Sequence, residues 1–169
     1  MPLFVRPAVG PSSTVSARSA LPPARALEVI APISLPATWT GWGPFPAVLS
    51  VEAQTGGWDA VGQTRRPQLA DDGEVTETII EYTAGVGFAY ELTGFTDVFD
   101  RIVVGVRGEW TFTPDGDGSM VRWTWEFKPR FGRRPIVAGV IVPLYRHYMR
   151  QIIRATVHLA ERGSGSSPA

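Results

Sequence analysis

The sequence predicts an α+β domain in which an antiparallel sheet is followed by one long amphipathic helix. Three observations carry this. Strand-like runs at 47–55, 59–70, 74–83 and 87–95 are separated by Gly56-Gly57, Asp71-Asp72-Gly73 and Gly85-Val86-Gly87, the spacing of a meander. Two more alternating runs flank the turn signal Asp115-Gly116-Asp117-Gly118. From about Pro135 to Arg162 the apolar period becomes helical. A chain of 169 residues suits a single domain, expected over 13–162 between a loose start at 1–12 and a Gly/Ser tail at 163–169.

The elements follow in order. "STVSARSA" (13–20) reads as a first strand, and "LPPARALEVI" places prolines where a helix tolerates them, in the first turn. "APISLPATWTGWGPFPA" carries Pro32, Pro36, Pro44 and Pro46 with Trp39 and Trp42, which forbids a long helix and supplies an aromatic loop or broken helical turn. That segment is rim or gate material. The meander comes next, then "EWTFTPDGDGSMVRWTWEF" (109–127) with Trp110, Trp123 and Trp125. If Gly116-Asp117 is a two-residue loop, Phe112 opposes Val121, Trp110 opposes Trp123 and Gly108 opposes Trp125 on one apolar face. The other face pairs Arg107 with Glu126, Glu109 with Thr124 and Thr111 with Arg122, which suits water and cross-strand charge attraction. In the terminal helix, Val137, Ile141, Leu144, Tyr145, Tyr148, Ile152, Ala155 and Leu159 form an apolar stripe, with Arg146, Arg150, Arg154 and Glu161 opposite. Pro143 should kink or restart it.

Composition excludes several chemistries. There is no cysteine, so disulfides, thiolate nucleophiles and cysteine-containing metal sites are out. Sixteen basic residues balance sixteen acidic ones, leaving no global field to attract nucleic acid. The signs are segregated, however: fifteen acids and eight bases lie up to Glu126, against eight bases and the single acid Glu161 afterwards. No window approaches the roughly 18 apolar residues of a membrane span, and the N-terminus lacks a signal-peptide core, so the chain reads as cytoplasmic and soluble. His147 and His158 lie about 16 Å apart along one helix and cannot share a metal. Both fall toward its polar edge, as surface residues rather than bases. Neither a nucleophile motif nor a phosphate loop is present, and the aspartate clusters sit in turns where backbone needs explain them. No metal or cofactor is expected.

The stretches "GWGPFPAV" (41–48), "QTGGWDAVGQTR" (54–65), Asp72-Gly73 with Glu77 behind it, "GFAYEL" (87–92) and "GEWTFTPDGDGSMVRWTWEFKPR" (108–130) resemble the START-like (SRPBCC) superfamily, and within it relatives of polyketide cyclase/dehydrase proteins. The resemblance runs from about residue 14 to 161. It implies a helix-grip fold, a curved antiparallel sheet wrapped around the long C-terminal helix with a cavity between them. The Trp110, Trp123 and Trp125 wall should then face the helix stripe, as packed core or as pocket lining. The superfamily includes cyclases, aromatases, lipid carriers, receptors and co-chaperones, and fold alone does not choose among them.

Candidate site residues follow. With Asp72-Gly73 as a two-residue loop, Arg65 and Glu77 lie on opposite faces. With a three-residue loop and a bulge, Arg65 shares a face with Leu69, Val75, Glu77 and Ile79, where burying charge is costly unless the two groups pair or meet a ligand. The resemblance favours a fixed role for both; a surface ion pair is the alternative. Tyr148, central on the stripe, and Tyr90, between Phe88 and Leu92, either find core partners or project into a cavity. The ligand-binding set is therefore Arg65, Glu77, Tyr90, Trp110, Trp123, Trp125 and Tyr148. The expected ligand is hydrophobic, aromatic or polycyclic. If the protein is catalytic, the resemblance implies cyclase chemistry, with a tyrosine on carbonyls and Arg65 on enolate charge. The alternatives are a non-catalytic carrier or sensor of lipid-like ligands and an interaction module. Arg146, Arg150 and Arg154 offer a docking face for an acidic carrier protein or anionic lipid, or else a solvated face that meets the acid-rich strands of the same molecule.

Overall fold

The Asp-Gly turn sets the longest hairpin. In the computed structural model, which describes residues 8–164, Gly116 has φ +61° and the flanking strands β6 (Val103–Asp115) and β7 (Gly118–Pro129) pair in the anticipated register. Trp110 faces Trp123, Phe112 faces Val121 and Gly108 faces Trp125. Residues 1–7 of the expected loose start, and 165–169 of the expected tail, lie outside the described residues.

All seven strands form one antiparallel sheet in the order β1-β7-β6-β5-β4-β3-β2. The others are β1 (Ser12–Ser19), β2 (Val48–Glu52), β3 (Thr64–Leu69), β4 (Thr76–Thr83) and β5 (Gly87–Thr93). Two short helices, α1 (Pro23–Ile30) and α2 (Leu35–Thr38), join β1 to β2, each with proline in its first turn. The terminal helix begins as α3 (Arg134–Ile136), widens into a π turn over Val137–Ile141, and continues as α4 (Val142–Ser164). This is the helix-grip architecture. The π turn sits immediately before Pro143, whose ring would crowd the carbonyl four residues back in a regular α-helix. Proline thereby falls in the first turn of α4, where it is tolerated.

Four expectations are corrected. The run at 59–70 is a strand only from Thr64, because Trp58 turns inward with φ +61° and the preceding loop is tied by Gln63 to the Asp59 backbone and side chain. The helix stripe is rotated: Tyr145, Tyr148, Met149, Ile152, Ile153, Thr156, Val157 and Ala160 are buried, while Leu144 and Ala155 are exposed. Small inward residues of β1, namely Ser13, Val15, Ala17 and Ser19, let that face seat closely. The polar face of the hairpin is not wholly wet either. Arg107 and Glu126 are buried, Arg107 between Glu109 (2.5 Å) and Glu81 (3.3 Å), and Glu126 beneath the backbone N–H groups of Val9 and Gly10, each 2.9 Å away. Finally, the three-residue loop between β3 and β4 is Ala70-Asp71-Asp72, one residue earlier than expected. Leu69 N–H donates to Gly73 O at 2.7 Å, and Asp72 takes the left-handed conformation at φ +63°.

Candidate functional site

That loop determines what Arg65 and Glu77 can do. They oppose each other directly across β3 and β4, both pointing into the concave side, with Arg65 Nε donating to Glu77 Oε2 at 2.5 Å. Each is at most 5% exposed. The Arg65 guanidinium also lies over the Trp58 ring, 3.9 Å from its centroid. Of the two arrangements open in the sequence, the surface ion pair is therefore excluded. A buried pair contributes little net stability, because desolvation offsets the attraction.

Tyr90 is the next group inward. It pairs with Gly108, and a Cβ at that position would come within 2.3 Å of the Tyr90 ring, so only glycine lets the ring lie across β6. Burial pushes its phenol pKa far above the usual value, with the Glu77 carboxylate adding to the rise. Phe88, Trp110 and Trp123 continue the aromatic layer. Trp110 and Trp123 stack at 4.9 Å and 11°, and Phe88 lies parallel to Trp110.

A cover of residues 39–48 closes the space between sheet and helix. Val48 N–H bonds Trp39 O, and Trp42 and Phe45 exchange two backbone hydrogen bonds. Gly41 (φ +82°) and Gly43 (φ +55°) make the bends. The cover is fastened to α4: Gly41 N–H donates to the Tyr148 hydroxyl at 2.8 Å, Trp42 leans on His147 at 4.5 Å with the rings tilted by 37°, and Phe45 packs edge-on against Tyr145 at 4.9 Å. Trp39 plunges from the cover onto Trp123 (5.4 Å) and Trp125 (5.6 Å).

Two chambers result, sharing Leu35, Trp39 and Glu77 as their partition. The outer one, about 80 Å³, has an apolar lining that includes Val48, Leu69, Val75, Phe95, Phe99 and Phe127. Its polar groups are Glu77, Asp97, Tyr145, Tyr148 and the Trp125 indole. The inner one, about 20 Å³, is bounded by Arg65, Tyr90, Trp110 and Thr156. Trp125 Nε1 is buried with no hydrogen-bond partner, and the Tyr145 hydroxyl makes no hydrogen bond among the described residues. Burial, followed by neighbouring Tyr90, Tyr148 and Glu77, holds the Tyr145 phenol pKa well above normal, and burial also raises that of Tyr148. These phenols are donors at neutral pH.

Of the seven residues singled out from the sequence, Glu77, Trp125 and Tyr148 line the outer chamber, while Arg65, Glu77, Tyr90 and Trp110 line the inner one. Trp123 lines neither and is fully buried in packing. Sequence reasoning missed Tyr145 as a polar group and Trp39 as the partition. Tyr145 was signalled by its place one turn before Tyr148, and Trp39 by its setting in the proline-rich gate segment.

The family described as polyketide cyclase / dehydrase and lipid transport matches residues 11–159. No curated protein matches the chain. Among solved structures, a point mutant of Thalictrum flavum norcoclaurine synthase in complex with a transition-state analogue superposes with TM-score 0.67 at 15% identity, covering 94% of this chain and 99% of that one. Ara h 8.0201 gives 0.65 at 18% identity, covering 88% and 96%. DynU16, from the dynemicin biosynthetic locus, gives 0.62 at 13% identity, covering 90% of this chain and 48% of its own. At such identities the likeness is one of fold. The family match spans nearly all of the sheet and helix that enclose the two chambers, and the chain belongs to the polyketide cyclase / dehydrase and lipid transport family.

Proposed function

We propose that the protein binds a hydrophobic, aromatic or polycyclic small molecule between its sheet and terminal helix, with hydrogen-bond acceptors on the ligand meeting Tyr145 and Trp125. The observation that carries this is the pairing of an apolar chamber with the buried Trp125 indole N–H, which has no acceptor, beside a Tyr145 phenol that makes no hydrogen bond among the described residues, since buried polar groups in folded proteins are rarely left unmet. A poly-keto chain or an oxygenated ring system supplies such acceptors on an apolar body. The outer chamber has room for water but not for a ring system, whose pockets run to roughly 300 Å³ or more. Binding therefore requires the cover to lift and Trp39 to leave the partition, merging the two chambers. Arg65, with its Nε given to Glu77 and its face covered by Trp58, borders the inner chamber only, so a ligand meets it once the two chambers merge. In a cyclase-type reaction the phenols of Tyr145 and Tyr148, held protonated, are the groups suited to polarise a carbonyl.

A soluble, cytoplasmic setting agrees with the described residues, no helix of which is long and apolar enough to cross a membrane. An acidic carrier protein or anionic lipid surface remains the proposed macromolecular partner. In its support, Arg146, Arg150 and Arg154 are exposed and have no ion pair among the described residues, although all sixteen acidic side chains fall within Glu28–Glu161.

The test is a titration with an anthraquinone probe, followed by tryptophan fluorescence and melting temperature, on the parent and on Val75→Phe. Val75 is buried in the chamber lining, so the larger ring fills the space from the sheet side. Saturable quenching and a raised Tm in the parent, both abolished in a variant at least as stable as the parent, are expected. Equal binding by the two proteins, or no binding across a panel of oxygenated polycyclic and lipid-like compounds, would overturn the proposal.

A further inference from the structure

We infer that the turn and helix start over residues 130–144 dock on an anionic lipid surface, using apolar side chains as anchors and arginines as the electrostatic contact. The segment reads "RFGRRPIVAGVIVPL", and of its large apolar side chains only Val137 and Ile141 are buried. Phe131 stands fully in solvent at the tip of a turn that Gly132 makes with φ +74°. Ile136, Val140 and Leu144 follow at four-residue intervals, 46%, 50% and 39% exposed. That spacing puts the three on one side of the helix start. A contiguous apolar strip on a soluble domain marks a place where something else is bound.

Charge decides which partner. Around the strip lie Arg130, Arg133 and Arg134, all exposed, and not one acidic residue occurs between Phe127 and Glu161. Arg130 is neutralised by Asp100 at 2.6 Å, but Arg133 has no carboxylate partner among the described residues, and Arg134 reaches only the Val9 carbonyl. An extruded phenylalanine and aliphatic strip bordered by guanidinium groups is the composition of a helix lying in a bilayer interface, rings and aliphatic chains below the headgroups and arginines level with them. A second copy of this chain would bring the same positive charge and repel. An acidic protein would satisfy the arginines but gives no reason for an aromatic side chain wholly clear of the molecule.

Position adds a purpose. Ile141 and Tyr145 belong to the same stretch of helix, and Tyr145 lines the outer chamber with Phe99, whose 3₁₀ turn (Val98–Arg101) is joined to Arg130 through Asp100. The docking strip and the chamber thus share one piece of backbone, so that a bilayer holding the strip also holds the helix that forms one chamber wall.

The experiment is co-sedimentation with vesicles of equal parts phosphatidylcholine and phosphatidylserine, with no ligand added, so that failure here leaves the small-molecule proposal untouched. The parent should sediment with these vesicles at low salt and not with pure phosphatidylcholine. Phe131→Ser with Val140→Ser, both exposed positions that leave the core alone, should lower partitioning by about tenfold or more at any ionic strength. Arg133→Glu with Arg134→Glu should give a comparable loss at low salt that narrows as salt rises. Undiminished sedimentation of the serine variant would overturn the proposal, as would equal binding to the neutral vesicles or none to either. Light scattering supplies the last outcome: a parent dimer that the serine variant abolishes would make the strip a self-interface and end the lipid assignment.

Discussion

The two chambers differ in what surrounds them more than in how they were made. Around the inner one, Phe88, Tyr90, Trp110 and Trp123 lie ring on ring along adjacent strands, each within 3–5% exposure or less, and little space survives. Around the outer one, Val48 of β2, Pro67 and Leu69 of β3 and Pro46 of the cover meet the short 3₁₀ turn, and more space survives. Long paired strands with aromatic alternation generate packing, whereas short strands, bulges and proline-broken segments generate room. The larger chamber, and with it the proposed ligand space, therefore belongs to the irregular half of the molecule, and Trp125 of the tryptophan wall forms part of its back.

Truncations on the two sides should separate these roles most widely. Trp123→Ala removes a fully buried ring touching Trp39, Trp110 and Trp125, and should cost about 3–5 kcal/mol in denaturant unfolding. Leu69→Ala, at a half-buried position facing the outer chamber, should cost no more than about 2 kcal/mol while enlarging the site. Equal costs would mean that the outer half is packed as tightly as the inner one in solution. The Tyr148 hydroxyl offers a finer probe, because it holds the cover without filling space. Tyr148→Phe should lose about 1 kcal/mol and admit ligand faster in stopped-flow quenching. An unfolded protein would make the phenol a core element and remove it from the cover's fastening.

The smallest effect concerns the outer rim. Burial, then the charge of Asp71, raises the carboxyl pKa of Asp97 above the usual aspartate range, against the opposing pull of the Phe99 N–H that it caps. The folded state then holds the proton more tightly than the unfolded chain. Its contribution to stability is present below the ordinary carboxylate pKa and is lost as pH rises toward the folded value. Asp97→Asn keeps a capping side chain and should flatten that part of the pH–stability curve. An unchanged curve would show that the rim tolerates the charge.

How far the molecule could be read in advance follows the same division. The β6–β7 register was legible because strict alternation and a two-residue turn admit one solution. The β3–β4 turn offered several candidate residues, and Asp72 rather than Gly73 adopted the left-handed conformation, so the direct opposition of Arg65 and Glu77 was beyond sequence reasoning. The helix stripe was legible in existence but not in angle, since Leu144 and Ala155 continue its period while facing solvent. Trp39 could be assigned to a gate but not to a partition, because a segment with four prolines has no periodicity from which to infer direction.

The parallel contact of Trp110 with Trp123 at 4.9 Å and 11° has an optical consequence. Two indoles so close couple their excited states, and the coupling, which depends on the angle between the two transition moments and not on the alignment of the ring planes, should add a feature to the ultraviolet circular dichroism that isolated tryptophans lack. Trp39 touches one member of that pair, Trp123, at 67°, close to edge-on, so the proposed withdrawal of its ring should alter the signal. The chain thus contains an intrinsic chromophore cluster whose spectrum should follow the proposed lifting of the cover without any label.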